Sequence, residues 1–171
     1  MRTINLFVVH CSATREDCTL SPEALDVMHR RRGFNGTGYH YYIRKDGTLY
    51  LTRSLERIGA HAKGFNAHSI GICYEGGLDC RGRPADTRTP EQRAALRLLV
   101  HQLLEKFPDC RVCGHRDLSP DKNGNGEIEP EEWMKACPCF DAEEEFKELV
   151  AEGTVETQSK LNYLKNEKGG K

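Results

Sequence analysis

Short apolar runs alternate with amphipathic stretches along this chain, and the two periods predict a sheet covered by helices. Residues Ile4 to Cys11 form a short, apolar run rich in β-branched side chains, the signature of a buried strand. Ser21-Pro22-Glu23 opens a helix with a cap, a proline in the first turn and an early acid. That helix is expected to run to about Arg32 and to stop at Gly33. Tyr39 to Arg44, the turn Lys45-Asp46-Gly47 and the return Thr48 to Leu51 predict a hairpin. Ser69 to Glu75 is a further apolar strand, closed by Gly76-Gly77, and residues 77–89 read as a polar loop. Thr89-Pro90-Glu91-Gln92 is a capping box, and the helix it opens carries Leu96, Leu99, Val100, Leu103 and Leu104 on one face to about Phe107. Arg111 to His115 predicts a short strand, residues 117–120 no helix, and residues 131–134 one short helix. Asp141 to Glu144 caps a last helix with Phe146, Leu149 and Val150 inward. From Gly153 the chain is polar and charged, and a frayed tail over 153–171 is expected. With no internal repeat, the alternation predicts a single α/β domain over residues 1–152, with a central mixed β-sheet flanked by helices.

Composition narrows the partners. The chain has 171 residues and is 37% hydrophobic, enough for one domain with a real core. Lys and Arg total 25 against 26 Asp and Glu, so the basic excess that marks a nucleic-acid footprint is missing. There is no secretory leader pattern and no apolar stretch long enough for a bilayer, so a monomer made in a reducing cytoplasm without a membrane partner is expected. The 8 cysteines then read mostly as thiols. Cys73 and Cys113 fall in apolar runs and read as small core residues. Cys110 and Cys113 make a lone CxxC, a weak signal for redox or zinc-ribbon chemistry without a second pair or a helix start. Cys11, Cys18, Cys80 and Cys139 receive no role.

Candidate chemistry lies at the ends of these elements. His10 ends one apolar run, His115 follows the run Arg111-Val112-Cys113-Gly114, and Cys137 sits in Lys135-Ala136-Cys137-Pro138. Each alone is an ordinary histidine or thiol. Together, two imidazoles and a thiolate suit zinc and leave a fourth tetrahedral position for water, the stoichiometry of a catalytic site. The ligands lie far apart in sequence, so a folded core must gather them.

The surroundings of those ligands resemble a family. Val8-Val9-His10-Cys11-Ser12-Ala13-Thr14, Gly38-Tyr39-His40-Tyr41-Tyr42-Ile43, Gly59-Ala60-His61-Ala62-Lys63-Gly64-Phe65-Asn66, Ser69-Ile70-Gly71-Ile72 and Lys135-Ala136-Cys137-Pro138 look like the zinc-dependent N-acetylmuramoyl-L-alanine amidases. The likeness is closest to the phage lysozyme branch, which is related to the peptidoglycan recognition proteins, and it holds in order from about Ile4 to Val150. It implies hydrolysis of the amide between the lactyl group of N-acetylmuramic acid and L-alanine, in peptidoglycan or muropeptides. It also implies His10, His115 and Cys137 as zinc ligands. Tyr39 matches the tyrosine that assists the water or the intermediate, and Lys135 the lysine beside the cysteine ligand. An ammonium there suits a developing oxyanion. His61, Lys63 and Asn66 fall in what looks like the substrate-side loop, where His61 either meets substrate or supports the zinc site. His29, His40, His68 and His101 read as structural or surface residues.

One stretch departs from the family pattern. Residues 121–132 match a calcium-loop template: Asp121, Asn123 and Asn125 at alternating oxygen positions, Gly126 at the sharp turn, Glu127 through its carbonyl, then Glu129, and Glu132 as the closing bidentate ligand. Calcium there is expected to order the insert and so place Lys135 and Cys137. The functional readings are thus an endolysin-like amidase, a cytoplasmic amidase recycling muropeptides, a non-catalytic peptidoglycan recognition module, or a zinc protein using the fold for a protein partner.

Overall fold

In the computed structural model, which describes residues 2–153, strand β1 (Leu6–Cys11) is buried along its whole length. It has to be, because it sits between two parallel neighbours and both of its faces are covered. The remaining elements are β2 (Thr14–Arg15), α1 (Pro22–Arg31), β3 (Tyr41–Ile43), β4 (Leu49–Leu51), β5 (Ser69–Tyr74), β6 (Gly77–Leu78), α2 (Pro90–Lys106) and β7 (Arg111–Gly114). A last helix, α3, covers residues 142–153. Strands β4-β3-β5-β1-β7 form one sheet in that order, and only the β3–β4 hairpin is antiparallel. This is the expected α/β domain with a mixed sheet between helices. The tail foreseen over 153–171 lies outside the described residues from 154 onward.

Capping sets the helices where the sequence places them. The Ser21 hydroxyl accepts from the Ala24 N–H at 3.2 Å, and Arg32 ends α1 one residue before Gly33. Thr89 and Gln92 bond reciprocally across the start of α2. One face of the sheet carries the main core, where Phe7, Val9, Ile70, Ile72 and Val112 meet the Leu96, Leu99, Val100 and Leu103 stripe of α2 and Phe146 of α3. On the other face, Leu20, Leu25, Tyr42 and Cys73 pack together with Tyr39, and Leu6, Val8 and Cys113 pack with Phe65 and Leu118. Cys110 belongs to the first face and Cys113 to the second, so the CxxC thiols serve separate packing clusters.

Two details differ from expectation. Residues 77–89 are not all loop, because β6 pairs in parallel with β2 in a small second sheet. Two-residue strands have no readable period. Within residues 117–120, taken as non-helical, Arg116–Leu118 makes one 3-10 turn, and Pro130–Glu132 makes another. Glu75, fully buried at the end of β5, is held by the Arg44 guanidinium at 2.6 Å and by the N–H groups of Leu20 and Lys45. Paired in this way, the carboxylate ties the segment before α1 to the β3 hairpin.

Candidate active site

Strand register brings two histidines together. Val8 is opposite Cys113 and Val9 is opposite Gly114, so the next residues, His10 and His115, stand side by side where β1 and β7 end. The His115 N–H donates to the Val9 carbonyl at 3.1 Å, extending that register by one residue. Adjacent parallel strands in register present paired side chains on one face, and the two rings lie 4.7 Å apart between centroids. Cys137 arrives on the segment before α3, where its carbonyl accepts from the Arg116 N–H at 2.8 Å. Gly114 permits this approach: a Cβ there would lie 2.4 Å from the Pro138 ring.

The donor atoms of His10, His115 and Cys137 all lie within 4.8 Å of one another, and they are the one set of three or more His, Cys, Asp or Glu groups so placed among the described residues. The Cys137 sulfur is 3.8 Å from His10 Nδ1. Bonds of usual zinc–nitrogen and zinc–sulfur length in a tetrahedron put donor atoms about 3.3–3.7 Å apart, so the His10–Cys137 pair is near that spacing and the set as a whole need only draw together to hold such an ion. Burial, aided by His61, His115 and Lys135, holds His10 well below the usual imidazole range, and burial with Lys135 brings His115 down to about 4. Neutral imidazole is the ligating form, so the site is poised to bind at neutral pH. The Cys11 N–H donates to the Cys137 sulfur at 3.2 Å, which fixes the sulfur's position beside β1.

His61 backs this set. His10 Nε2 lies 3.0 Å from His61 Nδ1, and His61 Nε2 lies 3.3 Å from Ser69 Oγ. A His10 that offers Nδ1 to a metal carries its proton on Nε2, and in that tautomer it donates to His61 Nδ1 while His61 Nε2 donates to Ser69 Oγ. The His61 ring is gripped between two glycines: a Cβ on Gly59 would be 2.5 Å from it and one on Gly71 2.6 Å. Asn66 Oδ1 accepts from the His61 and Ala62 N–H groups, each at 2.9 Å. The loop residues expected on the substrate side therefore divide. His61 and Asn66 border the cleft with their polar groups turned inward to the protein, while Lys63 is exposed at the rim.

The metal set opens on a cleft of about 610 Å³. Tyr39 and Lys135 both line it, and the Tyr39 ring is 5.0 Å from that of His10. Burial raises the Tyr39 phenol well above its usual value, so it stays protonated and able to donate. His29, read from sequence as structural or surface, also lines the cleft, as do Arg32 and Phe34, which the sequence left without a role. His29 stacks on Tyr39 at 5.3 Å, and its Nδ1 accepts from the Gly38 N–H at 2.9 Å. The readable signal was its position one turn after Leu25 on the buried stripe of α1. His40 faces away from the metal set, its Nδ1 accepting from the Gly71 N–H and its Nε2 lying 3.0 Å from the Arg57 carbonyl.

The insert at 121–132 is held by bonds among its own groups. Glu132, buried and expected to close an ion site, accepts from the N–H groups of Lys122, Asn123 and Glu129. Asp121 accepts from Gly124 and Gly126, Asn123 from Asn125, and Asn125 from Glu127, while Glu129 accepts from the Asn123 amide. These bonds shape the loop and identify no ion, so calcium is without support. The insert still serves the cleft. Arg116 stacks over Trp133 at 4.3 Å and Ser119 Oγ accepts from the Met134 N–H, which sets Met134 and Lys135 at the mouth.

A two-histidine, one-cysteine set that could hold a metal ion stands at the carboxyl edge of a parallel sheet and opens on a cleft with a protonated phenol and an ammonium, the arrangement of a hydrolytic site. The family model for N-acetylmuramoyl-L-alanine amidase (Amidase_2) matches residues 1–139. The chain is 36% identical to the endolysin of Enterobacteria phage K11, over 84% of this chain and 87% of that one. It is 35% identical to the endolysin of Klebsiella phage KP32, over 83% and 86%. Among solved structures it is similar to the N-acetylmuramoyl-L-alanine amidase LysC from Clostridium intestinale URNW, with a TM-score of 0.64 and 29% identity over 88% of this chain and 85% of that chain. The chain belongs to the N-acetylmuramoyl-L-alanine amidase family, in its phage endolysin branch, and is an amidase acting on peptidoglycan.

Proposed function

We propose that this amidase is zinc-dependent and acts lytically, cutting the bond between the lactyl group of N-acetylmuramic acid and L-alanine in the assembled wall. The observation that carries this reading is the convergence of His10, His115 and Cys137 at the floor of a cleft that Tyr39 and Lys135 share. When bound, zinc acidifies a water toward neutrality and polarises a carbonyl. The chain's own groups do the rest. The cleft holds the stem peptide so that its first amide lies over the metal set. The Tyr39 phenol donates a hydrogen bond to the oxygen that gains charge as the carbonyl becomes tetrahedral. The Lys135 ammonium, at the mouth, offsets that same charge and is a proton source for the departing amine of L-alanine. His61 keeps the His10 ring from turning away.

A lytic role accords with the endolysins that the chain matches over most of both lengths. On this reading the substrate lies outside the cytoplasmic membrane, and delivery through a phage membrane pore or by host lysis belongs to the proposal. The test is release of stem peptide, identified by mass, from purified wall and from a soluble muropeptide, with Cys137→Ala alongside. Release from wall that chelation and the substitution abolish is the expected result. Faster turnover of the soluble fragment would instead select the recycling role. Retention on wall without turnover by zinc-loaded protein would select a recognition module.

A further inference from the structure

The loop that carries His61 is gathered by a side chain far from the cleft in sequence. Arg2 Nε donates to the Leu55 carbonyl at 2.7 Å, Nη1 to those of Asn66 and Ala67 at 3.1 and 3.0 Å, and Nη2 to that of Ser69 at 2.9 Å. One planar fork thus satisfies four carbonyls on both sides of residues 59–65. A guanidinium is suited to this, because its donors have fixed directions and it stays charged. Two of the four residues touch His61 directly. Asn66 Oδ1 holds the His61 N–H, and Ser69 Oγ faces His61 Nε2. His61 in turn faces His10, a member of the metal set.

Inside the loop, Asn66 Oδ1 holds the His61 and Ala62 N–H groups, and the Ala60 N–H donates to the Gly38 carbonyl at 2.9 Å. The loop lies between the hairpin and β5 without strands of its own, with one 3-10 turn at Asn66–His68. Pairing of β1 with β5 begins at Leu6 opposite Ser69, so it fixes the end of the loop and not its body. The partly buried fork adds a restraint from the amino-terminal side that ties both ends of the loop together.

We propose that Arg2 is a positioning residue for the metal site, acting through Asn66 and Ser69 on His61 and through His61 on His10. The inference rests on the amidase reading only for its effect on turnover. Its primary readout is zinc affinity, which stands whether or not the substrate assignment holds.

The experiment measures zinc affinity by chelator competition, and kcat and KM on wall, for the native chain, Arg2→Lys, Arg2→Ala, His61→Gln and the Arg2→Ala/His61→Gln pair, each shown to be folded by circular dichroism. Leu149→Ala, in the core beneath α3, is the control for lost stability alone. Arg2→Ala should weaken zinc binding roughly tenfold, the lower end for groups that orient a ligand. Arg2→Lys, which keeps the charge without the fork, should fall between it and the native chain. Leu149→Ala should leave affinity unchanged. Because Arg2 acts through His61, the double variant should bind zinc no more weakly than His61→Gln alone. Unchanged affinity in Arg2→Ala, or losses that simply add in the double variant, would overturn the proposal. Should every chain bind zinc as expected and none release peptide, the amidase reading fails while the role of Arg2 stands.

Discussion

His10 Nε2 and His61 Nδ1 lie 3.0 Å apart, so the imidazole that offers one nitrogen to the metal set has its other nitrogen held by a second imidazole. Groups that hold a ligand in this manner carry a measurable share of metal affinity, roughly 10- to 100-fold. His61→Ala should therefore lower zinc affinity by about that factor while leaving the fold intact, since the ring borders the cleft. Chelator competition on the folded variant measures it. Affinity equal to that of the native chain would show that β1 alone orients His10.

Gly71 tests the same contact from the other side. Burial of β5 makes a methyl at this position look harmless, yet a Cβ there would lie 2.6 Å from two atoms of the His61 ring. Gly59 crowds the same ring at 2.5 Å, so the ring can give way only toward the cleft and away from His10. Gly71→Ala should cost about 1–3 kcal/mol of stability, as overpacking does. It should also weaken zinc binding by displacing His61 from His10. A thermal melt and the same chelator assay report the two effects separately.

Much of this site was legible because its elements have strong local signals. The β1 run, the capping box at Thr89 and the Tyr39–Leu51 hairpin each state their type without tertiary help, and the metal ligands sit at or just beyond the ends of such elements. The β2–β6 pair was not legible, since two residues carry no period and the pairing depends on where Cys11 and Tyr74 leave the sheet. The insert's calcium reading gains no support for a different reason. Asp121, Asn123, Asn125 and Glu132 satisfy a spacing template, but the same side chains serve equally well as internal acceptors for a tight loop. The cleft wall of His29, Arg32 and Phe34 became visible only when α1 was packed against Tyr39.

Tyr39 and Lys135 should separate chemistry from metal binding. Neither belongs to the three-ligand set, and both face the cleft. Tyr39→Phe keeps the ring against His10 and His29 but removes the donor, so kcat should fall by roughly 100- to 1,000-fold, the usual loss for one oxyanion donor. Lys135→Ala should lower kcat in the same direction and raise zinc affinity slightly, because its charge opposes a cation at His10 and His115. Steady-state kinetics on zinc-loaded variants decides. A change in KM with kcat preserved would make these residues binders of substrate and not participants in the reaction.

Acid should destabilise the fold through His40. Its ring is fully buried, Nδ1 accepts from the Gly71 N–H, and Nε2 lies 3.0 Å from both the Arg57 carbonyl and Arg2 Nη2. Burial, reinforced by the nearby Arg2 and Arg53 charges, lowers its pKa from 6.5 to about 4. The folded state thus holds the neutral ring over a range in which the unfolded chain takes up a proton. Stability from this group is fully present above about pH 6.5 and is lost as the pH falls through about 4. The shift corresponds to about 3 kcal/mol across that window. Urea unfolding at pH 7.5, 6, 5 and 4 should show the midpoint falling, and His40→Gln, which keeps a polar side chain without titrating, should flatten the slope. The other buried histidines contribute in the same direction, so the difference between the two chains is the quantity to read. Parallel curves would mean that His40 carries no part of the acid sensitivity and that the metal-set histidines account for it.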